Sequence, residues 1–197
     1  AGANADVKPK HLVHFGIMAS AFMEHLKGKT KPNVALLNIG SEELKGNELT
    51  KQAYPLIEKH IPNFIGNIES RYILDGKADI IICDGFVGNT ILKLIEGMIK
   101  HIFSWINDSI QKKSSSKLVA PMIKPIFKDL KSNLDYEEHG STPFLGVNGI
   151  VMKCHGSSSA KSIKNALISA EKAYHENLIE DIAERISNHL LLKQENA

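Results

Sequence analysis

The sequence has few of the features that define several common protein classes. Its two cysteines, Cys83 and Cys154, form neither a disulfide framework nor a zinc-ligand spacing. No run reaches the roughly 18 apolar residues that a membrane span needs, and the first residues lack the layout of a signal peptide. A formal net charge of +2 is too small to indicate nucleic-acid binding through bulk electrostatics. These absences predict a cytoplasmic protein with reduced cysteines, no nucleic-acid partner and no metal-ligating residues.

Several catalytic fingerprints are absent as well. No predicted strand is followed by Gly-x-Gly-x-x-Gly, and no Walker A lysine occurs, so neither a dinucleotide site nor a P-loop is predicted. No serine occupies a Gly-x-Ser-x-Gly elbow. The nine histidines are scattered, and most of them, including His11, His14, His25 and His189, are expected at the surface or on helix faces.

The chain does contain an alternation of buried strands and amphipathic helices. The predicted strands are 34–40, 63–67, 79–83 and 149–154. The predicted helices are 9–26, 47–60, one beginning at the N-cap Asn89, one capped within 157–159, and 178–192. This order is typical of βαβ units with a mostly parallel sheet and helices on both faces. We therefore predict one three-layer α/β/α domain over residues 1–197.

One segment departs from this pattern. Residues 112–117, Lys-Lys-Ser-Ser-Ser-Lys, form a low-complexity break between two apolar stretches, and Pro121 and Pro125 interrupt any long helix after it. We predict an inserted amphipathic helical hairpin at 98–135. Its apolar side chains either form a subunit contact or lie on a membrane surface with lysines facing anionic lipid. The residues expected at that interface are Leu118, Val119, Met122, Ile123 and Phe127.

Small polar turns follow four of the predicted strands. They are Asn38-Ile39-Gly40, Gly66-Asn67, Asp84-Gly85 with Gly88-Asn89-Thr90, and His155-Gly156-Ser157-Ser158. Ligands of doubly wound sheets bind at the carboxyl ends of strands, so four such turns on one edge predict one shared pocket. In the third turn, backbone N–H groups at a helix N-terminus are expected to point at an anion. Each turn alone is also explained by positive φ angles and helix caps.

Four cations are candidates for binding that anion. Arg71 lies just past a strand, where a guanidinium is suited to gripping a phosphate bidentately. Lys45 either reaches toward the pocket or is a solvated loop residue. Lys93 is better explained by a side-chain pair with Glu96 on its helix. Lys153 is the fourth candidate, at the end of a predicted strand.

Two further side chains are candidates for acid–base roles. Asp84 either orients a base or caps the turn, and capping is favoured because aspartate bonds readily to nearby backbone N–H groups. His155 follows a strand and precedes a capped helix, which makes it a candidate for anion binding or proton transfer. The alternative for His155 is a structural hydrogen bond within the turn.

Several blocks of sequence together closely resemble the PlsX-type phosphate acyltransferases. The blocks are Leu36-Leu37-Asn38-Ile39-Gly40 with Glu42-Glu43 and Lys45-Gly46-Asn47-Glu48, Asn63-Phe64-Ile65-Gly66-Asn67-Ile68-Glu69, Ala78-Asp79 with Cys83-Asp84-Gly85-Phe86-Val87-Gly88-Asn89, and Gly146-Val147-Asn148-Gly149 with Lys153-Cys154-His155-Gly156-Ser157-Ser158. They occur in the family's order over essentially the whole chain. Family members carry a further N-terminal part, so the chain resembles their C-terminal portion.

The resemblance implies an isopropylmalate-dehydrogenase-like fold without nicotinamide chemistry, and no cofactor. It implies transfer of a fatty acyl group from acyl carrier protein to inorganic phosphate, which gives acyl phosphate for phospholipid synthesis. A homodimer is implied, with peripheral contact to the inner face of the membrane or to a membrane acyltransferase. The alternatives are a phosphotransacetylase-like or acyl-kinase-related enzyme that uses coenzyme A thioesters, and a non-catalytic α/β fragment.

The resemblance also suggests roles for individual residues. Arg71, Lys153 and His155 are expected near the phosphate or the carrier's phosphopantetheine, and Asp84 and Glu69 are expected to orient them. Asn38, Asn67 and Asn89 are expected to donate hydrogen bonds to the substrate. The remaining residues expected to bind substrate or phosphate are Gly40, Lys45, Gly85, Gly88, Asn148, Gly156 and Ser157.

Overall fold

The structure, a computed structural model, describes residues 2, 4–112, 141–154, 156 and 158–194. Its helices are α1 (Pro9–Lys27), α2 (Glu48–His60), α3 (Gly85–Lys112), α4 (Ala160–His175) and α5 (Leu178–Gln194). Its strands are β1 (Val34–Asn38), β2 (Phe64–Glu69), β3 (Ile80–Ile82), β4 (Thr142–Pro143) and β5 (Met152–Lys153). A 3₁₀ turn, Ser70–Tyr72, follows β2.

The chain folds as two compact units. Residues 1–89, 143–151 and 168–197 form the first unit, and residues 90–142 and 152–167 form the second. Residues 98–112 continue α3, whereas 113–140, with all five predicted interface residues, lie outside the described residues. A single domain with a hairpin inserted at 98–135 therefore stays a prediction.

The first unit is built on a three-stranded parallel sheet in the order β2-β1-β3. The middle strand β1 is buried along its whole length, as expected for an apolar run covered on both faces. Asn38 pairs with Glu69 of β2, and Leu36 pairs with Ile82 of β3. The carboxyl ends of all three strands therefore lie on one edge. The predicted parallel α/β class is confirmed.

Helices α1 and α2 pack together against one face of this sheet. Leu12 of α1, Leu36 of β1 and Ile57 of α2 are fully buried in a single core cluster. Gly16 allows the close approach of α1, because a Cβ atom there would collide with the side chains of Ile61 and Ile82. The three-layer arrangement and the likeness to isopropylmalate dehydrogenases stay predictions.

Three predicted helix boundaries are confirmed by their caps. Gly28 ends α1 in the left-handed conformation, with φ of 68°. Asn47 caps the start of α2, because its Oδ1 atom accepts from the backbone N–H of Thr50 at 3.0 Å. Ser159 caps α4, since its Oγ accepts from the N–H of Ser162 at 3.2 Å.

The predicted start of α3 at Asn89 is wrong, because the helix begins at Gly85. Asp84 supplies the cap: its Oδ1 accepts from the backbone N–H of Val87 at 2.8 Å. Gly88 and Asn89 therefore lie inside the helix rather than in the turn before it. The preference for Asp84 as a capping residue agrees with this geometry.

The prediction that Gly66-Asn67 marks a strand end is also wrong, since β2 continues to Glu69. Val34 of β1 pairs with Phe64, whereas Leu36 pairs with Asn67, so β2 carries one extra residue between these pairs. Gly66, with φ of 93°, absorbs this bulge at little steric cost. The bulge lets the strand extend beyond its glycine.

The predicted buried strand at 149–154 is reduced to the two residues of β5, which pair with β4 in a separate two-stranded sheet. The turn between them reverses the chain through Gly146 (φ 86°), and the N–H of Phe144 donates to the carbonyl of Val151 at 2.8 Å. Val151 is 49% exposed rather than buried. The backbone of this segment is satisfied by its local pairing with β4. Among the described residues, β5 therefore adds no fourth strand end to the three-stranded sheet, and the prediction of four strand ends on one edge is wrong.

The C-terminal helix α5 is held on α1 by ion pairs. Arg185 of α5 reaches Glu24 of α1, with its Nη2 atom 2.7 Å from Glu24 Oε2. The Nε atom of Arg185 also donates to Oδ1 of Asp181 on its own helix at 2.9 Å. His25 Nε2 lies 2.9 Å from Asp181 Oδ2. His25 is therefore a half-buried paired residue on a face of α1.

Of the two positions expected for His189, surface or helix face, the structure shows a buried helix face, because this side chain is only 4% exposed. Its ring packs edge-on against His14 and His60, with centroid distances of 5.5 and 4.2 Å. One histidine from each of α1, α2 and α5 thus meets at a common contact. Helical periodicity places His189 on a face but does not reveal which helices cover that face.

Acidification is expected to loosen α5 from α1. Burial would raise the pKa of Asp181, but hydrogen bonds from Arg185 and His25 outweigh it and hold that pKa below its ordinary value of 3.8. A carboxylate with a lowered folded-state pKa stabilises the fold above its unfolded pKa, and the stability is lost as pH falls through the folded value. We expect urea denaturation to show a falling free energy of unfolding below about pH 4. Asp181→Asn should flatten that fall; an unchanged slope would contradict the assignment.

Candidate functional site

The carboxyl edge of the sheet brings together three connections of the first unit. The loop of residues 39–47 follows β1, the turn Ser70–Tyr72 follows β2, and Cys83-Asp84 follows β3. Because β1 is the middle strand, the loop that leaves it lies next to both other connections. We call residues 39–47 the β1–α2 loop.

The β1–α2 loop is tied to both strands on which it rests. Asn38 Nδ2 donates to the carbonyl of Lys45 at 3.0 Å, and Asn67 Nδ2 donates to the carbonyl of Glu42 at 2.9 Å. The N–H of Lys45 donates to the same Glu42 carbonyl at 3.1 Å. Asn38 anchors the loop from β1 and Asn67 anchors it from β2.

Glycines allow the loop to fold back so tightly. Gly46 has φ of 99°, and a Cβ atom there would collide with Thr50 Oγ1 and Asn38 Oδ1. At Gly40 a Cβ atom would lie 2.8 Å from Glu42 Oε2 and 3.0 Å from Lys45 Cγ. Sequence reasoning named Gly40 but missed Glu42 and Gly46, although two glycines flanking a short acidic loop were the available signal.

Two cations of the predicted site stand at this edge. Lys45 Nζ lies 3.8 Å from Glu42 Oε1, and both side chains are more than half exposed, so the pair contributes little stability. Arg71 donates to Glu69 Oε2 from Nε at 3.0 Å and from Nη2 at 2.5 Å, which raises the pKa of Arg71. Glu69 therefore orients a guanidinium that keeps further N–H donors for a ligand.

The turn between β3 and α3 is filled by the chain itself. The N–H of Gly85 donates to the carbonyl of Asn4 at 2.9 Å, and the N–H of Gly88 donates to the carbonyl of Asp84 at 3.0 Å. A Cβ atom at Gly85 would collide with the carbonyl oxygen of Gly2. These N–H groups already have acceptors, and the Asp84 carboxylate at the helix N-terminus repels an added anion. The structure therefore gives no support to an anion cradle at this turn, and Asn89 is an exposed helix residue.

The remaining predicted site residues belong to other segments of the chain or are not described. Asn148 is exposed in the turn of the first unit, whereas Lys153 and Gly156 are exposed in the second unit. His155 and Ser157 lie outside the described residues. Lys93 donates to Glu96 at 3.0 Å, as favoured from the sequence. Among the described candidates, the structure places these at the carboxyl edge: Asn38, Gly40, Lys45, Asn67, Glu69, Arg71, Asp84 and Gly85.

A cleft of about 550 Å³ lies at the opposite, amino edge of the sheet, and sequence reasoning did not anticipate it. Pro32 and Asn63, which precede β1 and β2, line it together with His60 and His189. Lys31, Glu24 and Arg185 also line it, and Glu24 and Arg185 pair with each other. We interpret this cleft as the seam where α5 packs on α1 and α2.

The two cysteines lie at strand ends, as the sequence predicts. Cys83 follows β3 directly and Cys154 follows β5, and both are half-buried free thiols. Burial raises the pKa of Cys83, so this thiol has little thiolate character at neutral pH.

In the described part of the chain, no helix is long and apolar enough to cross a bilayer.

The parallel sheet, with cations and amides at its carboxyl edge, makes this an α/β protein. In open α/β sheets, ligands bind at that edge as a rule. Over residues 1–181 the chain matches the family described as "Fatty acid synthesis protein", and it belongs to that family. The resemblance to the PlsX-type phosphate acyltransferases is thereby confirmed.

Individual relatives carry a more specific name. The chain is 47% identical over 188 residues to the phosphate acyltransferase of Clostridium botulinum (strain Loch Maree / Type A3), covering 95% of this chain and 56% of that protein. It is 45% identical over 186 residues to the phosphate acyltransferase of Clostridium acetobutylicum, covering 94% and 56%. The protein of the same name from Clostridium perfringens is 45% identical over 198 residues, covering 100% and 58%. The chain spans little more than half the length of these relatives.

Proposed function

We propose that this chain forms part of a phosphate acyltransferase that moves a fatty acyl group from acyl carrier protein to inorganic phosphate. The observation that carries the proposal is the 45–47% identity, over nearly the whole chain, to relatives named phosphate acyltransferase. The cations Lys45 and Arg71 at the carboxyl edge support it, because the acceptor substrate is a dianion. The product, acyl phosphate, would serve phospholipid synthesis.

The reaction needs positioning more than a protein nucleophile. A phosphate oxygen attacks the thioester carbonyl carbon, the C–O bond forms, and the C–S bond then breaks to release the carrier's thiolate, which takes up a proton. The protein must hold the phosphate against the carbonyl and stabilise the developing oxyanion. Two positive groups on a fixed sheet edge suit the first of these tasks.

We assign the phosphate to Arg71, with Glu69 holding the guanidinium and Lys45 supplying a second positive charge. Lys153 and His155 are proposed near the phosphate or the carrier's phosphopantetheine, with His155 as the candidate proton donor to the leaving thiolate. Asp84 is assigned to capping α3, since its Oδ1 is bonded to the N–H of Val87.

The finer parts of the proposal rest on the sequence. They are a cytoplasmic homodimer and peripheral contact with the membrane, or with a membrane acyltransferase, through Leu118, Val119, Met122, Ile123 and Phe127. These residues lie outside the described part of the chain. The interleaved lysines support the membrane contact, because they would face anionic lipid while the apolar side chains enter it.

The choice of acyl donor tests the proposal. With phosphate as acceptor, we expect kcat/KM for acyl phosphate formation to be at least about tenfold higher with acyl carrier protein than with coenzyme A carrying the same acyl group. Coupled detection of acyl phosphate as its hydroxamate measures both. A preference for coenzyme A would favour the phosphotransacetylase-like alternative. Phosphate binding without any acyl transfer would favour the non-catalytic fragment.

A further inference from the structure

We infer that Asn38 and Asn67 are positioning residues, which hold the β1–α2 loop so that Lys45 is presented to the phosphate. The inference rests on the proposed function, because it takes phosphate as the ligand of Lys45. It also changes the role expected for the two asparagines. Both were expected to donate to the substrate, whereas each donates to a backbone carbonyl of this loop.

Asn38 is committed to the loop through both amide atoms. Its Nδ2 donates to the carbonyl of Lys45 at 3.0 Å, and its Oδ1 accepts from the N–H of Ile39 at 2.8 Å. The residue is only 9% exposed. A side chain enclosed in this way is suited to fixing backbone and not to meeting a ligand that arrives from solvent.

Asn67 ties the same loop to the neighbouring strand. It lies opposite Leu36 in the β1–β2 register, and its Nδ2 reaches across to the carbonyl of Glu42. That carbonyl also accepts from the N–H of Lys45. The loop is therefore fixed at Glu42 from β2 and at Lys45 from β1, on two strands that pair with each other in the sheet.

The result is a lysine with a fixed backbone and an adaptable side chain. Both backbone polar groups of Lys45 are bonded within this network, whereas its side chain is 52% exposed and its ammonium is only loosely paired with Glu42. Binding an anion then orders the side chain alone and not the loop. If the loop were freed, the same contact would carry the additional entropy cost of ordering its backbone.

A double-mutant cycle on phosphate affinity tests the inference. Titration calorimetry with inorganic phosphate would compare Asn67→Leu, which removes the donor without adding charge, with Lys45→Ala and the double variant. We expect Asn67→Leu to raise the Kd about fivefold and Lys45→Ala about tenfold. In the Lys45→Ala background, Asn67→Leu should have no further effect. Asn107→Leu, at an exposed position of α3, is the matched control and should leave the Kd unchanged.

Hydrogen exchange supplies a readout of position and of folding. Asn67→Leu should speed exchange of the Lys45 amide, while the amide of Leu36 in β1 stays protected and shows that the sheet is intact. If the Leu36 amide loses protection in Asn67→Leu, the variant Asn67→Ser is used in its place, because it removes the same amide donor with a smaller side chain. If Asn67→Leu raises the Kd for phosphate equally in the unaltered and the Lys45→Ala backgrounds, the inference is overturned and the proposed function stands. An unaltered chain that binds no phosphate would overturn both.

Discussion

Replacing Gly46 by alanine is expected to lower the free energy of unfolding by about 3 kcal/mol, because strain and overcrowding add at this position. Gly46 has φ of 99°, and the new methyl group would collide with Thr50 Oγ1 and Asn38 Oδ1. Neither atom moves without loss: Thr50 Oγ1 donates to the Asn47 carbonyl at 3.0 Å, and Asn38 Oδ1 accepts from Ile39. The substitution therefore disrupts the hydrogen bonds that hold the C-terminal end of the β1–α2 loop.

Gly76→Ala is the matched control for this substitution. Gly76 also has a positive φ, 71°, but a Cβ atom there would meet nothing within 4 Å. Only the backbone cost of the left-handed conformation remains, so we expect a loss of about 1 kcal/mol. Urea denaturation of both variants measures the difference. Equal losses would mean that the β1–α2 loop adapts freely to a methyl group.

Replacing Arg71 by alanine is expected to lower the rate of acyl phosphate formation at least about tenfold, because a charge-assisted contact to phosphate is lost. The guanidinium is already oriented by Glu69, and its five N–H donors exceed the two bonds that Glu69 accepts. Because the contact is made to the ground-state phosphate, most of the loss should appear as a higher KM for phosphate. Steady-state kinetics with varied phosphate measures this split.

Lys77→Ala provides the control for charge alone. Lys77 and Arg71 both lie against the ring of Tyr72, at 4.6 and 5.2 Å from its centroid. Lys77 is 64% exposed and pairs only weakly with Asp75, at 3.9 Å. Its removal changes the net charge equally and should leave the KM for phosphate within about twofold. An Arg71→Ala variant that behaves like Lys77→Ala would remove Arg71 from the site.

The parallel α/β class and most helix limits were predictable because they depend on local sequence patterns. The run from Val34 to Leu37 is apolar without alternation, which favours a strand buried on both faces. Asn47 and Ser159 were recognisable caps because each precedes an amphipathic helix. These signals lie within a few residues of the structure that they predict.

The errors occurred where distant residues decide the structure. Asp84 and Asn89 are both good capping residues, and the choice of Asp84 is reinforced by the contact between Gly85 and Asn4. The acceptors of Asn38 and Asn67 are backbone carbonyls, which a sequence pattern does not display. The anion cradle at the turn after β3 stays a prediction that this structure does not support, because the N–H of Gly85 already donates to the carbonyl of Asn4.

The docking of α5 on α1 has a consequence for the synthesis of the protein. The Glu24–Arg185 and His25–Asp181 contacts join residues more than 150 positions apart in sequence. The strands β1, β2 and β3 all precede α5 in the chain, so the partners of Glu24 and His25 are made only after the three-stranded sheet. A ribosome that stalls before α5 would therefore display this sheet with Glu24 and His25 unpaired, a form that chaperones and proteases can distinguish from one in which α5 has docked.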